Sequence, residues 1–113
     1  MNASPTVEYY TVPDLVELFG VAPGKIHRLL EQRTLAAVRV NGVLSIPKVF
    51  VQDSEPLHSL QGTLVLLSDA GFADDEAVAW LLAENEELGG RPIDALLAGR
   101  KSEVRRIAQS LAF

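Results

Sequence analysis

The feature that most constrains the fold is a pair of short helix signals separated by a turn that contains glycine. Thr11 and Asp14 have the spacing of a capping box, in which each side chain satisfies a free backbone N–H at a helix start. Apolar residues then recur with a helical period at Val12, Leu15, Val16 and Phe19. Gly20 suits the left-handed conformation that ends a helix. These signals predict a first helix over residues 12–19.

A second helix start follows directly. Pro23 is tolerated in a first turn, because an N–H at that position would have no helical partner. One face of the predicted helix 23–32 is apolar and consists of Ile26, Leu29 and Leu30. The opposite face is polar and consists of Lys25, His27, Arg28 and Gln32. Two short helices joined by a tight turn form a helix-turn-helix pattern.

Two runs rich in β-branched residues come next, at 35–40 and 43–46, with Asn41-Gly42 between them. This dipeptide favours a type I′ turn, because both central residues of that turn need a positive φ. The pattern predicts a hairpin over residues 35–46. The order helix, turn, helix and hairpin describes a winged helix-turn-helix domain over residues 8–52, with the hairpin as its wing.

The second half predicts a small helical domain over residues 53–113. The polar segment 53–56, which ends in Pro56, is the expected boundary. Four helices are predicted, beginning near Leu57, Asp74, Pro92 and Ser102, with Ser102 as a cap. His58, Arg105 and Arg106 are interpreted as solvated helix-surface residues, and Gly62 as a weak point of its helix. An alternative for the C-terminal basic group is that it neutralises the acidic middle of the chain or extends a nucleic-acid footprint. The predicted fold class is mainly α with one β-hairpin, the helical domain packing on the winged helix.

The distribution of charge indicates which partner suits this fold. The net charge of the 113 residues is −5, which by itself argues against a nucleic-acid binder. Residues 20–51, however, hold five basic residues and one acidic residue, a net charge of +4. Residues 52–99 hold ten acidic residues and one arginine, a net charge of −9. The positive charge therefore coincides with the helix-turn-helix and the wing.

This coincidence predicts a protein that binds double-stranded DNA and regulates transcription. The second helix of such a fold fits the major groove, where its exposed side chains meet base edges and phosphates. We expect groove contacts from Lys25 and Arg28, with smaller contributions from His27 and Gln32. The predicted phosphate contacts, which fix position without reading sequence, are Arg33, Arg39 and Lys48.

Two resemblances support this interpretation. The stretch from Tyr10 to Leu30, followed by Leu35-Ala-Ala-Val-Arg-Val-Asn-Gly and Ile46-Pro47, resembles the excisionase and MerR-type winged helix-turn-helix. Wings of that family often carry arginines after the glycine turn, whereas residues 43–45 are uncharged here. Nearly the whole chain, most specifically residues 92–113, resembles an actinobacterial family of small DNA-binding proteins. That likeness implies a winged helix followed by a helical domain of unknown function.

A second interpretation assigns the helical half to a protein partner. Residues 80–99, with Trp80-Leu-Leu and Leu88-Gly-Gly-Arg-Pro-Ile-Asp-Ala-Leu, are similar to the toxin-binding domain of Xre-type antitoxins. This likeness implies a protein-interaction module or an antitoxin-like protein. A homodimer is a further open alternative, since Leu111-Ala112-Phe113 could complete either the core or a dimer interface.

The sequence indicates no catalytic residue, metal site or cofactor. Cysteine is absent, and His27 and His58 each lack a partner at metal-ligand spacing. Gly89-Gly90 lacks the lysine of a phosphate-binding loop. No apolar run approaches the roughly 18 residues of a membrane span, and the first residues do not resemble a signal peptide. We therefore expect a non-enzymatic protein in the cytoplasm with no membrane partner.

Overall fold

The computed structural model describes residues 7–111. The first half consists of strand β1 (Tyr9–Thr11), helices α1 (Val12–Phe19) and α2 (Pro23–Glu31), and strands β2 (Val38–Val40) and β3 (Val43–Pro47). A short 3₁₀ turn, Lys48–Phe50, follows. The three strands form an antiparallel sheet in the order β1-β3-β2. This arrangement is the predicted winged helix-turn-helix.

The signals that predicted the first two helices are confirmed. The carboxylate of Asp14 accepts from the N–H of Thr11 at 2.9 Å, and the Thr11 hydroxyl accepts from the N–H of Asp14 at 3.3 Å. Gly20 ends α1 with a φ of 68°. Helix α2 ends one residue before the predicted bound, because Gln32 is its C-cap. Local side-chain chemistry therefore accounts for the ends of α1, whereas α2 begins at Pro23 without a side-chain cap.

The sheet has one strand more than predicted, so the expectation of a single hairpin is wrong. Strand β1 pairs with β3, with Tyr9 opposite Pro47. A strand of three residues shows no readable alternation, and only its pairing with β3 defines it. The wing itself is confirmed, since Asn41 and Gly42 have φ values of 52° and 80°. Its first strand begins at Val38 rather than at residue 35.

The segment predicted to separate the two domains is a second tight hairpin. Strand β4 (Val51–Gln52) pairs with β5 (Glu55–Pro56). The two residues between them, Asp53 and Ser54, have φ values of 55° and 59°. Because neither residue is glycine, the sequence carries no signal for a turn in which both central residues adopt a left-handed conformation.

Four helices form the second half, as predicted: α3 (Leu60–Asp69), α4 (Asp74–Leu82), α5 (Pro92–Leu97) and α6 (Lys101–Ser110). The expected cap at Ser102 is wrong, because α6 begins at Lys101 after Arg100. Leu57 and His58 precede α3 instead of lying on it. The Leu57 N–H donates to the Phe50 carbonyl at 2.9 Å, so the chain at this point still belongs to the hairpin.

The prediction of a solvated face on α6 holds for Arg106, which is exposed, and is wrong for Arg105. The guanidinium of Arg105 lies over Gly62 of α3, where a Cβ on residue 62 would collide with it. Its Nη2 reaches the Ser59 carbonyl at 3.5 Å. Gly62 is therefore the position that lets α3 and α6 approach with an arginine between them.

One hydrophobic core runs through both halves of the chain. Its fully buried members include Leu15, Ile26, Ile46 and Phe50 from the first half and Leu60, Leu67, Leu81 and Val104 from the second. Trp80 and Leu111 pack against this core, whereas Ala112 and Phe113 lie outside the described residues. Within residues 7–111, no helix combines the length and hydropathy that crossing a membrane would require.

Candidate nucleic-acid interface

The exposed face of α2 brings together four of the seven predicted contact residues, namely Lys25, His27, Arg28 and Gln32. The helix is held in this rotation by Ile26 and Leu29, which are 0% and 9% exposed on its opposite side. Among residues 7–111, neither Lys25 nor Arg28 forms an ion pair with a carboxylate. Both cations are therefore available to an anionic partner.

The N-terminal end of α2 adds to this positive surface. The first turn has Pro23 and Gly24 and contains no acidic residue. The free N–H groups of a helix start carry a partial positive charge, and phosphate groups bind well there. Lys25 lies in the same turn, so its ammonium and the helix dipole act on the same region of the surface.

The wing carries one exposed cation. Arg39 lies on β2, opposite Leu44 of β3, and its Nη1 donates to the carbonyl of Gly42 at 3.2 Å. This hydrogen bond holds the guanidinium near the turn of the hairpin. Val43, the residue after the turn, is 49% exposed. The wing therefore presents a single charge and an apolar side chain next to its turn.

Lys48 lies apart from this surface, among carboxylates. Its Nζ is 3.4 Å from Glu8 and 5.1 Å from the centre of the Tyr10 ring. It lines an open concavity of about 550 Å³ together with Asp14 and Glu17. Hydrogen bonds from Thr11 lower the pKa of Asp14, and Lys48 contributes a smaller effect in the same direction. A phosphate at Lys48 would have to compete with these acids.

Arg33 lies at the junction of the two halves rather than on the free face of α2. It is half-buried, and its φ is 59°. Its side chain lines a narrow crevice whose other walls come from the wing connection and from α3 and α4: Leu35, Ala36, Leu64, Ser68, Phe72, Asp74 and Ala77. Its Nε is buried and has no hydrogen-bond partner among the described residues.

Sequence reasoning missed two features next to this surface. Asp74 and Asp75, at the start of α4, line a groove of about 390 Å³ together with Arg39 of the wing. Gln61 of α3 donates from Nε2 to the carbonyl of Gln32 at 3.1 Å. No sequence signal could have shown either contact, because both depend on how the helical half packs on the winged helix.

The histidines do not form a ligand cluster in the part of the chain that the structure describes. His58 Nε2 lies 3.4 Å from Glu55 Oε1, and both side chains are exposed. Across residues 7–111, no three histidine, aspartate or glutamate side chains converge as metal ligands would.

Comparison with known proteins identifies the family. Residues 3–51 match a family model described as DNA-binding protein Rv2175c, wHTH domain. Residues 57–112 match a second one, described as Rv2175c C-terminal domain of unknown function. The chain belongs to the Rv2175c family. The predicted likeness to a family with a winged helix and a C-terminal domain of unknown function is thereby confirmed.

A relative and a solved structure agree with this assignment. The DNA-binding protein Rv2175c of Mycobacterium tuberculosis (strain ATCC 25618 / H37Rv) is 35% identical over 122 residues, covering 96% of this chain and 84% of the relative. The NMR structure of Rv2175c matches with a TM-score of 0.87 and 35% identity, covering 98% of this chain and 85% of that one. Rv2175c is thus similar in fold over both halves, and its name describes a DNA-binding protein.

Proposed function

We propose that the chain binds double-stranded DNA by inserting α2 into a major groove with the wing alongside, and that it regulates transcription. The observation that carries the proposal is the exposed face of α2, where Lys25 and Arg28 have no carboxylate partner among the described residues and the backbone is fixed by buried Ile26 and Leu29. The name of the relative, a DNA-binding protein, supports the same function.

The proposed interface is smaller than the set of basic residues in the sequence. It contains Lys25, His27 and Arg28 of α2, the C-cap residue Gln32 and Arg39 of the wing. Lys48 faces acids, and Arg33 lies in the crevice between the two halves. Three cations, Lys25, Arg28 and Arg39, then neutralise phosphates. Each neutralised phosphate contributes about −0.9 to the slope of log K against log salt, so we expect a slope of about −2.7.

The remaining charge limits the footprint to one face of the molecule. Residues 52–99 hold ten of the acidic residues, and those at the start of α4 line a groove beside the wing. Carboxylates repel a polyanion within about one Debye length, roughly 8 Å at physiological salt. DNA should therefore avoid the surface formed by residues 52–99 and approach along α2 and the wing.

The test is a selection from random duplexes followed by a footprint and a salt titration of the selected site. Replacing Lys25 and Arg28 with alanine should abolish tight binding and reduce the slope by about 1.8. The matched control replaces Lys101 and Arg106 of α6, which are also exposed and remove the same charge. That control should bind as the wild type does. The proposal fails if the wild type binds no duplex at low salt, or if both double variants lose affinity equally.

A further inference from the structure

The connection between α2 and the wing begins with an unusual residue. The Arg33 N–H donates to the Leu30 carbonyl at 3.2 Å, and the Thr34 N–H donates to the Leu29 carbonyl at 2.9 Å. These two bonds form a Schellman motif, in which the residue at the position of Arg33 adopts a left-handed conformation. Glycine is preferred there, because any Cβ is strained at a positive φ. The arginine side chain must therefore provide something that glycine could not.

The surroundings of Arg33 show what its side chain contributes. It lines the same narrow crevice as Leu64 and Ser68 of α3 and Asp74 of α4. Its buried Nε has no hydrogen-bond partner in the described part of the chain, so packing of the long stem accounts for its position. Arg33 thus joins the end of α2 to the helical half.

A second contact joins the same two parts. The side chain of Gln61, on α3, donates from Nε2 to the Gln32 carbonyl at 3.1 Å and lies 3.5 Å from the Thr34 hydroxyl. Gln32 is the C-cap of α2, and the last carbonyls of a helix lack partners within it. A residue of the helical half therefore caps the C-terminal end of α2.

We propose that Gln61 and Arg33 are positioning residues, through which the helical domain fixes the orientation of α2 relative to the wing. This inference rests on the proposed function, since it states what the C-terminal half contributes to DNA binding. Groove insertion and wing contact must occur together, and a movable connection at residues 32–37 would have to be ordered during binding, which weakens affinity. On this account Arg33 does not contact a phosphate.

The test uses two variants of the full chain. Gln61→Met keeps the length of the side chain and removes the donor. Arg33→Gly keeps the left-handed turn and removes the side chain. Gln61→Met should weaken binding to the selected duplex by about threefold to tenfold, the range of one net hydrogen bond. Arg33→Gly, which removes packing rather than a hydrogen bond, should weaken it by a similar factor, and neither variant should change the salt slope. Gln109→Met, an exposed position on α6, is the matched control and should bind as the wild type does.

The salt slope and amide exchange decide between the roles. A slope about 0.9 shallower for Arg33→Gly would show a phosphate contact and overturn the proposal. Wild-type affinity in variants with unchanged melting curves would also overturn it. A merely structural role would lower the melting temperature of a variant but leave its affinity for the duplex unchanged when affinity is measured well below that temperature, and this result would overturn the proposal too. If the wild type binds no duplex, the proposed function fails, and hydrogen exchange of the Arg33 and Thr34 amides still tests the positioning role. Faster exchange of these amides in Gln61→Met than in the wild type would support the role, and equal exchange rates would refute it.

Discussion

Gly62 and Arg105 should depend on each other, and a double-mutant cycle can measure this dependence. Glycine is less stable than alanine in a helix by about 0.5 to 1 kcal/mol, and Gly62 is the third residue of α3, so Gly62→Ala alone would be expected to stabilise α3 by an amount in this range. The added Cβ, however, would collide with the guanidinium of Arg105 and force it away from α3. Arg105 then loses its packing and its weak contact with the Ser59 carbonyl at 3.5 Å, a loss of about 1 kcal/mol.

The two effects nearly cancel in the wild-type background. Gly62→Ala should therefore change the free energy of unfolding by less than about 0.5 kcal/mol there, and should stabilise Arg105→Ala by about 0.5 to 1 kcal/mol. Urea unfolding followed by circular dichroism measures the four proteins of the cycle, and the coupling free energy should be about 1 kcal/mol. Additive effects of the two substitutions would refute the packing of Arg105 over Gly62.

Three further outcomes follow from charged residues beside the wing and in the concavity around Lys48. Replacing Asp74 and Asp75 with asparagine should tighten duplex binding about twofold at low salt and much less at high salt, because it removes repulsion beside the wing; fluorescence anisotropy at two salt concentrations checks this. Lys48→Ala should leave the salt slope of DNA binding unchanged, since that ammonium faces carboxylates. Hydrogen bonds with Thr11 lower the pKa of Asp14 in the folded protein. The contribution of Asp14 to stability is therefore fully present above the pKa of an unfolded aspartate, and it is lost as the pH falls through the lower pKa of the folded protein. Asp14→Asn should flatten this part of a curve of unfolding free energy against pH.

The parts of the fold that sequence reasoning predicted are those encoded by neighbouring residues. Thr11 and Asp14 satisfy each other's N–H groups, and Asn41-Gly42 adopts its turn, because each pair acts within a few residues. Strand β1 was missed because it exists only through pairing with β3. The turn at Asp53 and Ser54 was missed because two non-glycine residues adopt left-handed conformations.

The candidate site divides in the same way. Helical periodicity determines which side of α2 faces outward, so the exposure of Lys25, His27, Arg28 and Gln32 was predictable from the buried positions between them. Residue type alone suggested phosphate contacts for Arg33 and Lys48. Their surroundings come from other elements: α3 and α4 enclose Arg33, and Glu8 and Asp14 lie near Lys48. A basic residue outside a regular helix or strand carries no periodic signal for its direction.

The two halves are therefore better understood as parts of one packed structure than as a winged helix with an independent appendage. Leu35 and Ala36, in the connection between α2 and the wing, are 1% and 6% exposed, and the crevice they line is closed by Leu64 and Ala77 of the helical half. Residues of both halves therefore surround this connection. Because the same connection sets the angle between α2 and the wing, the acidic helical half, which would by itself repel DNA, supports the geometry through which the basic half would bind it.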